Sequence, residues 1–259
     1  MVPGRWEGHG RGYRLRLLSG PAMYQNKTLS VVFPAYNERQ GIEQAVKNFK
    51  SLDVVDEVLV VDNNSTDGTG DLARKAGARV VHETKQGYGY ALRRGMAEAS
   101  GDLIVLAEPD GTFVADDVHK LLAYSSEVDL VLGTRTTREL IWDDANMTPF
   151  LRWGNWAVAK MLQVLFNTPS LSDCGCTLRL IHRSALERFR EGLTVGSSHF
   201  LPEMVIQARL AGLRILEVPV NYHPRVGTSK ITGSRKTTLR VGTNMIRLIL
   251  RYRFRGAPA

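Results

Sequence analysis

Acidic residues are missing from the last thirty positions. From Lys230 to Ala259 the chain carries eight Lys or Arg and no Asp or Glu, and residues 1–27 carry five basic residues against one acid. The whole chain of 259 residues has a formal charge of +8, of which the two ends hold +8 and +4, so the segment 28–229 is mildly acidic at −4. A nucleic-acid protein more often places its basic stripe on the folded body, so no nucleic-acid partner is expected. Basic tails suit an anionic membrane surface instead. Cysteine is scarce as well. Cys174 and Cys176 are the only two, one residue apart, and such neighbours in an extended segment point to opposite faces. That argues against a mutual disulfide, and two thiols without a second cluster make a poor zinc site. They read as small buried residues of a reduced compartment.

Long apolar runs are also lacking: none approaches the roughly 18 residues of a transmembrane helix. The N-terminus shows no apolar h-region of a secretory signal, and the expected location is cytoplasmic. No repeat or low-complexity segment is visible. The length allows one large α/β domain or two small ones.

What is present is an alternation. Residues 1–27, rich in Gly and Arg without a period, read as a disordered basic extension. From Leu29 onward "LSVVFP", "VDEVLVVD", "ARVVH", "DLIVLA" and "VDLVLG" read as strands, separated by helices over about 42–50, 69–76, 89–99 and 116–124. The strands are near-continuous apolar runs, as expected when helices cover both faces of a mostly parallel sheet. Strand–helix alternation with short loops argues an α/β, doubly wound, Rossmann-like fold. The second half is less regular. A loop over 134–149 precedes a helix over about 150–166, then "CTLRLIHR" as a strand, a helix over 184–190, the helix "PEMVIQARLAG", the strand "LRILEVPVNY" and a last helix over about 237–252.

Ligands of such folds bind outside the carboxyl ends of the strands. That rule puts "PAYNE" (34–38), "DNNSTD" (62–67) and "EPDGTF" (108–113) on one rim, all polar and acidic. A dinucleotide fingerprint is present only in outline. Gly68, Gly70 and Ala73 spell G-x-G-x-x-A, but an acidic "NNSTD" separates them from the strand end and is a poor cradle for pyrophosphate. A capped helix start at Thr66 or Asp67 explains the stretch.

Taken in order, "VVFPAYNE", "VLVVDNNSTDGT" and "EPD" resemble the nucleotide-binding strand, the "DDGSTDGT" segment and the D-x-D metal motif of the family 2 glycosyltransferases of GT-A fold. "GYGYALRRGMAEASGDLIVLAEPD", "LVLGTRT", "DCGCTLRLIHRSAL" and "RILEVPVNYHPRVGTSKI" are similar to the branch that includes dolichyl-phosphate mannose synthase. The resemblance covers about Leu29–Ile231. Asn63 stands where the family usually has a second Asp, and Glu108 with Pro109 where it usually has "DAD".

The resemblance implies a single GT-A domain over 28–231, followed by a basic amphipathic helix and tail over 232–259. It implies Pro34, Ala35, Tyr36 and Glu38 around the nucleoside, Asp62 at the base or ribose, and Asp67 there or as a helix cap. Gly87 and Gly89 let backbone approach the sugar nucleotide, or only shape a turn. A departing nucleoside diphosphate calls for a hard divalent ion, Mg²⁺ or Mn²⁺, held by carboxylates plus phosphates. Asp110 is the expected ligand, with Glu108 direct or through water; the alternative for the pair is a solvated turn or helix cap.

The branch further implies a polyprenyl or dolichyl phosphate acceptor. A phosphate monoester has a second pKa of about 6, so it needs cations that place it more than a strong base. Arg135, Arg225 and Lys230 match the family's basic positions, with Ser229 beside them. Asp173 faces the sugar, serves as base for an alcohol acceptor, or is a turn acid. Glu203 approaches the sugar or the diphosphate, or only begins a helix. In the last helix Val241, Met245, Leu248, Ile249 and Tyr252 share one face and Arg240, Asn244, Arg247 and Arg251 another. This fits an interfacial helix on the inner face of a membrane, or a helix packed on the domain.

The expected function is metal-dependent, inverting transfer of a hexose from a nucleotide diphosphate sugar, GDP-mannose or a UDP-hexose, to a polyprenyl phosphate. A soluble enzyme with a non-lipid acceptor, and a nucleotide-sugar-binding protein without turnover, remain as alternatives at this level.

Overall fold

A computed structural model describes residues 24–142, 145, 147–227 and 235–255. Seven strands form one sheet: β1 (Leu29–Ala35), β2 (Glu57–Asp62), β3 (Arg79–His82), β4 (Leu103–Leu106), β5 (Leu130–Thr134), β6 (Arg179–His182) and β7 (Ile215–Pro219). The helices are α1 (Ile42–Lys50), α2 (Thr69–Lys75), α3 (Tyr88–Glu98), α4 (Asp117–Leu122), α5 (Pro149–Phe166), α6 (Arg183–Leu186), α7 (Phe200–Leu210) and α8 (Arg235–Arg255). Strand order is β3-β2-β1-β4-β6-β5-β7. β6 alone runs antiparallel, to both β4 and β5, while the other pairs are parallel. The chain order reverses between β1 and β4, which makes their carboxyl ends the switch point where such sheets bind ligands.

The near-continuous apolar strands separate two cores by strict alternation. Val31, Phe33, Val58, Val60 and Val105 pack with Ile42, Val46, Phe49, Val118 and Leu121 of α1 and α4. Their neighbours Val32, Leu59, Val61, Ile104 and Leu106 pack on the other face with α3, α5, α7 and α8.

Two expectations change and one alternative is decided. The helix read over 184–190 is one turn, because Arg188 and Phe189 bond back to Ala185 and Leu186 three residues away and the segment tightens. Residues 24–27, read as part of a disordered extension, form a turn whose Tyr24 hydroxyl donates to the Leu122 carbonyl at 2.9 Å; residues 1–23 lie outside the described residues. For the apolar face of α8, left open between a bilayer and the domain, the structure takes the packed alternative. Met245, Leu248, Ile249 and Tyr252 are buried in the core against α5 and α7, with Val241 packed beside them. At about 1.5–3 kcal/mol per buried side chain, lifting that face would cost on the order of the net stability of a whole domain.

Candidate active site

One cavity of ≈ 630 Å³ opens at the switch point, and eight of the expected binding and catalytic residues line it: Pro34, Ala35, Tyr36, Glu38, Glu108, Asp110, Arg135 and Arg225. The first two loops of the rim are stapled together. Asn37, in left-handed backbone at φ 53°, accepts from the Thr66 amide at 2.8 Å and donates its own to Ser65 Oγ at 3.0 Å. Asp67 acts as a tie, accepting from the amides of Thr69 at 3.0 Å and Arg39 at 3.1 Å, while the cap of α2 expected at Thr66 or Asp67 falls on Gly68, in left-handed backbone at φ 85°.

Asp62 does not line the cavity. Strand alternation sends it to the α2 side, where it accepts from Ser65 N at 3.0 Å and lies so close to Gly70 that a Cβ there would collide with it. Asn63 takes the cavity side. Its amide group donates to the carbonyls of Glu83 and Lys85, both at 2.9 Å, and its oxygen accepts from Gly87 N at 2.8 Å. A carboxylate at 63 would face those two carbonyls with no proton to give, which is a local reason for the departure from Asp. Gly87 and Gly89 also serve the chain itself. A Cβ on either would strike the carbonyls of Gly196 and Val195, and Gly196 accepts from the amides of Gly89 and Tyr90 at 3.0 and 3.2 Å. The close approach expected for a sugar nucleotide is made by the protein's own loop.

The two acids of "EPD" stand at the cavity floor. Glu108 Oε1 accepts from Thr177 Oγ1 at 2.7 Å and from the Tyr88 hydroxyl at 3.0 Å. Burial, followed by the charge of Asp110, pushes the Glu108 carboxyl up to about 7. Buried Asp110 accepts from Thr112 N and Oγ1 on one oxygen, at 3.0 and 2.6 Å, and from Arg225 Nη1 at 2.6 Å on the other. Arg225 Nη2 reaches Glu38 at 2.6 Å, so one guanidinium bridges the first and third rim segments. Its Nε is buried without a hydrogen-bond partner among the described residues.

Arg135 is held differently. Asp173, with a side chain 0% exposed, takes Arg135 Nε at 2.8 Å and Nη2 at 3.0 Å as a fork, plus the amides of Arg135 at 3.1 Å and Gly175 at 2.9 Å. Burial works to raise the Asp173 carboxyl, but the guanidinium and these bonds outweigh it and the carboxyl is lowered. The guanidinium also lies 5.1 Å from the Tyr222 ring centroid. Asp173 is therefore fully engaged and does not line the cavity, contrary to a role facing the sugar or as a base. Glu203 is likewise turned inward. It is 0% exposed and accepts from Thr194 N at 3.1 Å, Val195 N at 2.9 Å and the Tyr252 hydroxyl at 2.8 Å, so it clasps α7, α8 and the loop touching α3. Ser229 and Lys230 lie outside the described residues.

The cavity has a second, apolar end, built by Met147, Phe150, Trp153, Leu239 and Ile246 of the loop before α5 and of α5 and α8. Sequence reasoning missed the α5 part. The signal was there, since Phe150, Trp153 and Trp156 stand at helical spacing and are exposed by 55%, 66% and 45%.

An acidic rim at the switch point of an α/β sheet, with two cavity-lining arginines, is an arrangement suited to a phosphate-bearing ligand. Residues 30–190 match the family described as glycosyl transferase family 2, and the chain belongs to that family. It is 33% identical over 211 residues to the low-salt glycan biosynthesis hexosyltransferase Agl6 of Haloferax volcanii; the match covers 79% of this chain but only 50% of that relative. A dolichyl-phosphate hexose transferase of the same organism is 29% identical, with 90% of this chain and 98% of the relative covered. An uncharacterised glycosyltransferase of Mycobacterium tuberculosis is 32% identical over 82% of this chain and 93% of its own. Among solved structures, glucosyl-3-phosphoglycerate synthase of M. tuberculosis, in complex with Mn²⁺, UDP and phosphoglyceric acid, superposes with a TM-score of 0.67 at 23% identity, covering 91% of this chain and 81% of that one. The fold is GT-A, and the protein is a glycosyltransferase.

Proposed function

We propose that the chain transfers a hexose, with inversion, from a nucleotide diphosphate sugar to a polyprenyl phosphate at the inner face of a membrane. The observation that carries this reading is the double character of the cavity: Asp110, Glu108, Arg135 and Arg225 at one end, and Trp153, Leu239 and Ile246 at the other. A lipid phosphate has the same two parts. The relative named as a dolichyl-phosphate hexose transferase supports the same acceptor class.

Donor and acceptor divide the charged end. Tyr36, Glu38 and Asn63 border the nucleoside side. Glu108 and Asp110 offer a hard, oxygen-only pair, which fits Mg²⁺ or Mn²⁺ when substrate phosphates and water complete the shell. Such an ion, when bound, neutralises the departing diphosphate. Among the described residues no group of three or more His, Cys, Asp or Glu converges, so the protein supplies few of the ligands itself. Arg225 holds one oxygen of Asp110 and has to yield it for the ion to bind there. Arg135 keeps Nη1 outside its fork with Asp173 and turns toward the cavity, where it places the acceptor phosphate for in-line attack. The acceptor is already ionised near neutrality, so engagement of Asp173 elsewhere removes no needed base.

Membrane attachment is assigned to side chains the core leaves out. Leu239, Ile246, Leu250 and Phe254 of α8 are exposed by 58%, 40%, 39% and 76%, next to exposed Arg240, Arg247 and Arg251. No described helix is long and apolar enough to cross a membrane.

The test is transfer from radiolabelled GDP-mannose and UDP-hexoses with Mn²⁺. Label is expected in the organic phase only when a polyprenyl phosphate is added. Equal label on polyprenol, or label only in water-soluble products, would refute the lipid-phosphate acceptor.

A further inference from the structure

We infer that Glu217, on β7, is a positioning residue that acts through Asp173 to hold Arg135 in its acceptor-binding pose; this rests on the proposed role of Arg135 toward the acceptor phosphate. Nothing in the sequence pattern marked Glu217, which pairs in register with Leu132 two residues from the end of β5. Its carboxylate leaves the sheet edge to receive four hydrogen bonds from two consecutive residues. Ser172 N donates to both oxygens at 2.9 and 2.7 Å, Ser172 Oγ to one at 2.6 Å, and Asp173 N to the other at 2.9 Å. Burial raises the Glu217 carboxyl above its ordinary range, a cost that these donors counter.

The geometry runs in one direction toward the cavity. Glu217 fixes the backbone of Ser172 and Asp173. The Asp173 side chain, so fixed, grips Nε, Nη2 and the amide of Arg135. A second tie closes the loop: the hydroxyls of Thr134, Thr136 and Ser172 lie within 2.8–2.9 Å of one another, joining the end of β5 on both sides of Arg135 to the residue Glu217 holds. With the Ser172 proton given to Glu217, Ser172 Oγ accepts from the threonines. The guanidinium is thus located by two strand ends rather than by its own flexible stem, as preorganisation of a charged group for catalysis requires.

An acceptor-only head is needed at 217, because all the groups aimed at it are donors. Glu217→Gln keeps the size but turns an NH₂ toward an N–H. The measured quantities are KM for undecaprenyl phosphate, with whichever of GDP-mannose or UDP-glucose is turned over, and Kd for GDP and UDP with Mn²⁺. Glu217→Gln is expected to raise the acceptor KM roughly tenfold, with nucleotide Kd within about twofold of the parent. Arg135→Ala is expected to raise it at least as much, and adding Glu217→Gln to Arg135→Ala then changes it by less than about twofold, since both act through one group. Ser172→Ala, which removes one donor without stranding a charge, moves the same constant by about threefold and serves if Glu217→Gln fails to fold. Parallel losses of donor and acceptor binding, a full additional effect in the Arg135→Ala background, or no change in either Glu217→Gln or Ser172→Ala would overturn the inference while the reading of Arg135 stands. An unchanged acceptor KM in Arg135→Ala would overturn that reading, and this inference with it.

Discussion

Two arginines face the same cavity and are held by opposite means. Arg135 sits in a closed fork: its side chain is 12% exposed, Asp173 beneath it is 0% exposed, and further amides fill the remaining lone pairs of the carboxylate. Arg225 is a bridge between two acids on different loops, at 2.6 Å from each, with Nε left without a partner among the described residues. A fork on a buried, saturated carboxylate keeps one geometry. A bridge to acids that have other work, with one donor unsatisfied, is the arrangement that exchanges partners. The difference assigns Arg135 to fixed placement and Arg225 to a contact that opens when ligands arrive.

The largest expected effect removes the acid on which the bridge rests. Asp110→Asn should lower transfer by roughly 10³-fold or more, measured as kcat/KM, because electrostatic support for the leaving diphosphate is lost. Folding stability should change little, since Arg225 keeps Glu38. Next comes the fork. Asp173→Ala leaves a largely buried guanidinium without its partner and should cost about 3 kcal/mol in urea denaturation. Equal stability losses in the two variants would erase the comparison.

The fork also has a pH signature. The Asp173 carboxyl is lowered on folding, so its stabilisation is complete above the ordinary carboxylate pKa of about 3.9 and is lost as pH falls through the lower folded value. The stability gap between parent and Asp173→Ala should be flat from about pH 5 to 7 and narrow only below about 4. A gap that closes already at pH 6 would contradict the lowered carboxyl.

Outside the charged end, Phe254→Ala should weaken binding to phosphatidylserine-containing vesicles about tenfold in co-sedimentation, from the apolar area it no longer buries. The smallest effect sharpens the bridge. Arg225→Gln should tighten Mn²⁺ binding by about threefold in calorimetry, because a competing cation has left Asp110, while the acceptor KM rises. Weaker Mn²⁺ binding would make Arg225 a support of the acid and not its competitor.

The sheet and most helices were legible because burial on both faces writes unbroken apolar runs such as "VLVV" and "LIVL". The rim followed from them by the strand-end rule. The assignment of Asp62 to the ligand was avoidable: Val58 and Val60 face one core, Leu59 and Val61 the other, and the same parity sends Asp62 away from the cavity and Asn63 into it. Long-range partners were not legible. Nothing near Gly87 announces the carbonyls of residues 195 and 196, nothing near Glu203 announces Tyr252, and nothing in "DCGC" announces Glu217 forty-four positions on. Hydrophobic periodicity reports which face is inside, not which polar group waits there.

The lone antiparallel strand has a consequence for synthesis. β6 lies between β4 and β5, so the apolar strands Leu103–Leu106 and Leu130–Thr134 both leave the ribosome before the segment that joins them exists. At roughly 5–20 residues per second, the β4 edge waits several seconds for residues 179–182. During that interval the nascent chain leaves one edge of β4 and both edges of β5 unpaired, since β7 also comes later, and such apolar edges are where a growing chain is most exposed to wrong pairing.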